Sequence, residues 1–309
     1  MLLGVSFAAH AMNFKRVGTT LILSGEVVAR DLDKAKAELK SVPAITHVVL
    51  RNSMGGNSWT GYRLGELFRE HGVTTAVSGH CVSSCSRLFL GGKRRMFTDD
   101  YPASLTYVGF HGHYDFGKLN TQAVEKNDLA RWTAKFTDGK ADPKLVQRWI
   151  NIERRAGDAR FYPATVNAQW KDVSFFCVGT ESSRPTQCER LSTSALAQGV
   201  ITTNQRYVSP DAAELPYKLR EARHPTTPHA TVNDPTKLPN TSPAALKDYQ
   251  QFTASAVPRA FAVSSNGKHW GWSGNDTESA ERAIERCEAK AKASCVLYAV
   301  DERVVYRLP

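Results

Sequence analysis

A serine set where a strand turns into a helix is placed for nucleophilic chemistry, and residues 76–92 have that form. A β-leaning lead-in (Val73, Thr74, Thr75, Val77) reaches Gly79, then a small-residue elbow with Ser83, Ser84 and Ser86, then an apolar helical run to Leu90. Free amides and the helix dipole at such an N-terminus favour developing negative charge. A serine hydroxyl also needs a base to take its proton, and His111 ends the strand-like run 105–110, with His113 two residues on. Strand alternation puts both histidines on one side, so it does not separate them. A further apolar strand, 45–50, runs into Arg51-Asn52-Ser53-Met54-Gly55-Gly56. Two glycines after a strand let backbone amides come close to a ligand, as an oxyanion hole requires.

In this order and spacing the segments resemble the Clp-protease/crotonase superfamily, in particular its secreted bacterial Clp-like members. The family's Asn-Ser-Pro-Gly-Gly turn is matched by Asn52-Ser53-Met54-Gly55-Gly56, its Gly-x-Ala-x-Ser turn by Gly79-His80-Cys81-Val82-Ser83, and its base by His111. The resemblance covers about residues 21–203. It implies Ser83 as nucleophile, His111 as base, and the amides of Gly56 and Ser84 as oxyanion donors. It further implies an exported serine hydrolase, a peptidase acting on peptide or protein substrates without a cofactor, and leaves a homo-oligomer open. The family's acid would fall near Gln187, which carries no charge; Glu189 is the nearest carboxylate, with Glu181 and Asp172 further off. An acid fixes the imidazole tautomer and stabilises the imidazolium. Its displacement keeps a second reading in play: a catalytically inactive Clp-like fold serving as a periplasmic binding or scaffold protein. A third reading, an acyl-CoA enzyme of the crotonase branch, conflicts with export.

The elements that must position these residues read as α/β, a Clp/crotonase-like ββα-repeat core with a parallel sheet plus a small α+β C-terminal domain. Two short strands surround Gly18, a helix covers 32–39, and Trp59, Leu64, Leu67 and Phe68 mark an amphipathic helix closed by Gly72. The pattern turns helical over 115–159, where Leu129, Trp132 and Phe136 share one face and Leu145, Trp149 and Ile152 another. A short helix over 191–199 leads to a closing strand, 200–203. Residues 204–257 hold Pro210, Pro216, Pro225, Pro228, Pro235, Pro239 and Pro243 with little periodicity, and read as a linker. Residues 258–309 resume folded character: a hairpin about Asn266-Gly267, a helix over 278–291, and strands over 295–300 and 303–307. With Cys287, Cys295 and Tyr298-Ala299-Val300-Asp301, this tail resembles a small domain of unknown role in secreted proteobacterial proteins.

A hydrophobic content of 41% and a charged content of 23% fit a folded globular chain. The net charge of +10 raises a nucleic-acid reading, but the cations are scattered among 30 acidic residues without a basic block, so no nucleic-acid partner is expected. The six cysteines fall into local pairs, Cys81/Cys85, Cys177/Cys188 and Cys287/Cys295, as suits disulfides in an oxidising compartment. Cys81 and Cys85 lie across a helix start, where Cα atoms about 6 Å apart are within bridging range. A zinc site using them with His80, His111 and His113 is the competing idea, and no metal is expected. Residues 1–11 are apolar and end in Ala9-His10-Ala11, like the tail of a signal peptide, which places the chain in the periplasm or outside the cell. No stretch approaches the roughly 20 apolar residues of an integral membrane span.

Overall fold

Continuous apolar runs build the centre of the sheet, because its strands are covered on both faces. Leu21, Ile22 and Leu23, and likewise Val48, Val49 and Leu50, are all buried. The computed structural model describes residues 11–166, 170–181, 187–255, 257–276 and 278–307. The chain forms two compact units, Met1–Leu215 and Pro216–Pro309.

The first unit begins β1 (Asn13–Val17), β2 (Thr20–Ser24), α1 (Asp31–Leu39), β3 (His47–Ser53), α2 (Ser58–Glu70), β4 (Thr74–Val82), α3 (Ser84–Gly91), β5 (Arg94–Thr98) and β6 (Tyr107–Phe110). Strands β2, β3 and β4 are parallel neighbours. The first half of β4 pairs with β5 and its second half with β6, both parallel. The change of partner falls at Ser78 and Gly79, and it opens the sheet just before the elbow. Beyond β6 the sheet continues antiparallel through β9 (Asp158–Phe161), β10 (Ser174–Cys177) and β11 (Glu189–Leu191). Between β6 and β9 lie the hairpin β7 (Tyr114–Asp115) and β8 (Lys118–Leu119), then α4 (Thr121–Lys126), α5 (Leu129–Phe136) and α6 (Pro143–Ile150). Trp149 and Phe136 are buried in the main core, as their helical spacing predicts.

This unit departs from its sequence pattern at two places. The start of the 115–159 segment is the β7–β8 hairpin, turned by Phe116 and Gly117, both with positive φ. The closing helix and strand over 191–203 do not form. Leu191 ends β11, and residues 195–201 fold back through the bonds from the amides of Val200 and Ile201 to the Ala195 carbonyl. The last strand is β12 (Arg206–Tyr207), parallel to β5.

The second unit contains α7 (Pro216–Arg223), α8 (Pro243–Ala254), β13 (Arg259–Ser264), β14 (Trp270–Gly274), α9 (Ser279–Ala291), β15 (Cys295–Val300) and β16 (Arg303–Val304). Its sheet runs β14-β13-β15-β16, antiparallel throughout. The proline-rich stretch is therefore not a linker. Residues 206–211 belong to the first unit, and 216–257 supply Val232, Leu238, Tyr249 and Phe252 to the core of the second. Two of its prolines are helix starts: Pro216 opens α7, and Pro243 follows Ser242, whose hydroxyl accepts from the Ala245 amide. Proline at the first helical position costs no hydrogen bond, because that amide has no intrahelical acceptor.

All three cysteine pairs are disulfides, with Cα–Cα separations of 5.2, 4.8 and 6.1 Å for Cys81–Cys85, Cys177–Cys188 and Cys287–Cys295. They are consistent with an extracellular or periplasmic protein. Among the described residues no helix is long and apolar enough to cross a membrane. The signal-peptide reading falls, apart from Ala11, outside the described residues.

Candidate active site

Three serines occupy the elbow, and their surroundings separate them. Ser84 is fully buried with its hydroxyl unpartnered, and Ser86 is buried with its hydroxyl donated to the Ser83 carbonyl at 2.6 Å. Ser83 alone is half-buried and lines a cleft of about 240 Å³. Its backbone sits at φ 60° and ψ −125°, outside the regions a β-carbon favours, and its side chain does not cap α3. Such geometry is strained, and here it is held on both sides. The Ser83 amide donates to the Gly109 carbonyl of β6 at 3.1 Å, and the Cys81–Cys85 disulfide brackets the residue. The hydroxyl is left without an intramolecular partner among the described residues, at the positive end of α3.

The glycine turn meets this elbow directly. A β-carbon on Gly55 would lie 2.7 Å from that of Ser83 and 2.8 Å from the Ser84 amide nitrogen. Val27 donates to the Gly55 carbonyl at 2.9 Å and accepts from the Asn57 amide at 2.7 Å. Bonding on both sides of Gly56 turns the Gly56 amide away from Val27, and Gly56 lines the cleft. The amide of Ser84, the first residue of α3, has no intrahelical acceptor either. The two amides expected as oxyanion donors thus flank the Ser83 elbow, and neither has a protein acceptor among the described residues.

Both histidines line the cleft as well, and their partners tell them apart. His113 shares a 2.8 Å hydrogen bond between its Nε2 and the Tyr62 hydroxyl. His111 has Nδ1 2.7 Å from the Gly112 carbonyl oxygen. A carbonyl only accepts, so Nδ1 carries the proton and Nε2 keeps its lone pair. Burial pushes the His111 imidazole down to about 4, with the cations Arg87 and Arg155 acting the same way and the Gly112 hydrogen bond opposing. Burial, with Arg87 and His111, lowers His113 to about 3. Both rings are neutral at pH 7. Arg87 is buried one turn into α3, 4.8 Å over the Tyr62 ring.

The structure does not bring Glu189 to the cleft. Glu189 lies on β11, half-exposed, and pairs with Arg148 at 3.2 Å through one oxygen and at 2.5 Å through the other. Glu181 accepts from the amides of Val178, Gly179 and Thr180, and Asp172 does not line the cleft. The carboxylate that does is Asp158 of β9, paired with Arg160 at 2.6 Å. Burial raises Asp158 to about 6 despite that partner. The missed signal is the alternation Asp158-Ala159-Arg160-Phe161: two opposite charges, two residues apart, share one side of an otherwise apolar strand. Among the described residues no cluster of three His, Cys, Asp or Glu is arranged to hold a metal. Cys81 and Cys85, bonded to each other, offer no thiolate ligand.

No protein-family model and no curated protein matches this chain. Solved structures similar to it include ClpP1 from Listeria monocytogenes, at 14% identity and a TM-score of 0.38, covering 63% of this chain and 94% of that one. A point mutant of the same Listeria monocytogenes protein gives 15% and 0.36 over the same shares. Similarity of that degree transfers neither a catalytic residue nor an activity.

Proposed function

We propose that this chain is an exported serine hydrolase acting on peptides, with Ser83 as nucleophile, His111 as base and the Gly56 and Ser84 amides as oxyanion donors. The observation that carries the reading is the meeting of three sequence-distant segments in one cleft: the glycine turn, the strained serine elbow and the histidine after β6. In this reading Nε2 of His111 takes the Ser83 proton as Oγ attacks the substrate carbonyl carbon. The resulting oxyanion faces the two amides, and the imidazolium returns its proton to the leaving amine. Water then repeats the sequence on the acyl-enzyme. The Gly112 carbonyl does the orienting that a triad assigns to its acid, so the site is a dyad with Asp158 as the cleft carboxylate. The three disulfides support export to the periplasm or beyond, and the order of the three motifs supports a Clp-like peptidase.

One observation favours the inactive-scaffold reading: an imidazole lowered to about 4 and hydrogen-bonded to no carboxylate is a weak base. Hydrolysis of an internally quenched peptide library by the purified protein decides between the two. Turnover that disappears in Ser83→Ala supports the hydrolase; no turnover in the parent supports the scaffold, and turnover retained by Ser83→Ala removes Ser83 as the nucleophile.

A further inference from the structure

The charges along the cleft do not balance. Asp158 and Arg160 neutralise each other through their 2.6 Å pair, and His111 and His113 are neutral. That leaves Arg155, which lines the same cleft, is exposed, and makes no ion pair or hydrogen bond among the described residues. The cleft also has apolar walls: Met54 is 64% exposed and Phe116 entirely exposed. Phe116 holds the first left-handed position of the β7–β8 turn, at φ 46°, where glycine or asparagine is the unstrained choice. Phe116 is thus an exposed apolar surface at the cleft rim that an occupant of the cleft would cover.

Building on the hydrolase reading, we propose that the cleft selects peptides with a carboxylate side chain beside the bond to be cut. Arg155 holds the carboxylate, and an apolar neighbour rests against Met54 and Phe116. A bound carboxylate would cancel the Arg155 field at His111. Because that field is one of the influences depressing the imidazole, an acidic substrate strengthens the base that acts on it. A lysine in the same position adds a second cation and weakens it.

The test measures binding separately from chemistry. Fluorescein-labelled Ala-Ala-Leu-Glu-Ala-Ala and its Gln and Lys counterparts are titrated by anisotropy into the full-length Ser83→Ala protein at low ionic strength. The expected order is Glu over Gln by about fivefold, the scale of one solvated ion pair, with Lys weakest. Adding Arg155→Gln should abolish the difference between Glu and Gln, and Arg155→Glu should reverse the order of Glu and Lys. Equal binding of Glu and Gln peptides, no binding of either at millimolar protein, or a preference that survives Arg155→Gln overturns the proposal. Circular dichroism melts establish that each variant is folded. The hydrolase reading fails by a different observable, the absence of Ser83-dependent turnover in the parent.

Discussion

A β-carbon placed on Gly55 would stand 2.7 Å from the Ser83 β-carbon, so the turn after β3 and the elbow after β4 share one contact that admits no side chain. Gly55 also holds φ 87°, where an L-residue is strained. Gly55→Ala therefore has two penalties, together about 2 kcal/mol or more. The melting transition of the first unit should fall by about 4–8 °C, and labelling of Ser83 by an acyl-transfer probe should fall with it. An unchanged melt would show that the elbow tolerates displacement.

The Cys81–Cys85 bridge closes a loop of only a few residues around Ser83. Loop-closure entropy assigns about 2 kcal/mol to so short a loop. The double variant Cys81→Ala, Cys85→Ala should lose roughly that stability, read by urea titration, and should lose Ser83 reactivity beyond what the melt explains. In the parent protein, mass spectrometry after alkylation without reduction should find all six cysteines unmodified.

Acid should weaken the first unit in a particular window. His111 and His113 fold with lowered pKa values, about 4 and about 3, against an ordinary value near 6.5. The unfolded chain then binds more protons, and stability falls as pH drops from 6.5 towards 4. Asp158, raised to about 6, works in the opposite sense between about 4 and 6, because there the folded state holds the extra proton. Two histidines outweigh one carboxyl, so the net slope is a loss on acidification. Asp158→Asn should steepen the loss between about pH 4 and 6, and His113→Gln should flatten it. Denaturant midpoints across about pH 4–8 check both signs.

Arg51 lies between two carboxylates, Asp100 at 3.0 Å and Asp211 at 2.8 Å, all largely buried. The bond to Arg51 holds Asp211 well below the usual carboxylate range. Asp211→Ala leaves a buried guanidinium short of a partner and should cost about 3 kcal/mol or more. Glu189→Gln breaks a half-exposed pair and should cost about 1 kcal/mol or less, with no effect on hydrolysis. Loss of activity in Glu189→Gln at unchanged stability would restore Glu189 to the site.

How far the sequence reaches depends on whether a signal is local. The serine elbow, the glycine turn and the three cysteine pairs are legible because each depends on neighbours within a few residues. The choice of His111 over His113 is not, because both share one strand side and only Tyr62, on α2, and the Gly112 carbonyl distinguish them. The alternation of Asp158 and Arg160 marks a charged side of β9, but that this side faces the cleft follows from the antiparallel pairing of β9 with β6, which is not local. The prolines of 204–257 mislead because proline marks helix starts as readily as linkers, and Ser242 before Pro243 is the signal that tells them apart.

If Ser83 is an activated nucleophile, a fluorophosphonate should label the intact protein there. One adduct is expected, mapped by peptide mass spectrometry to Ser83. Labelling should be slowed about a thousandfold or more in His111→Ala and little affected in His113→Gln. Its rate should also hold steady on acidification to near pH 5, below the range of an ordinary histidine, because the His111 imidazole titrates at about 4. A protein that takes up no label, or takes it equally after Ser83→Ala, has no activated nucleophile at Ser83.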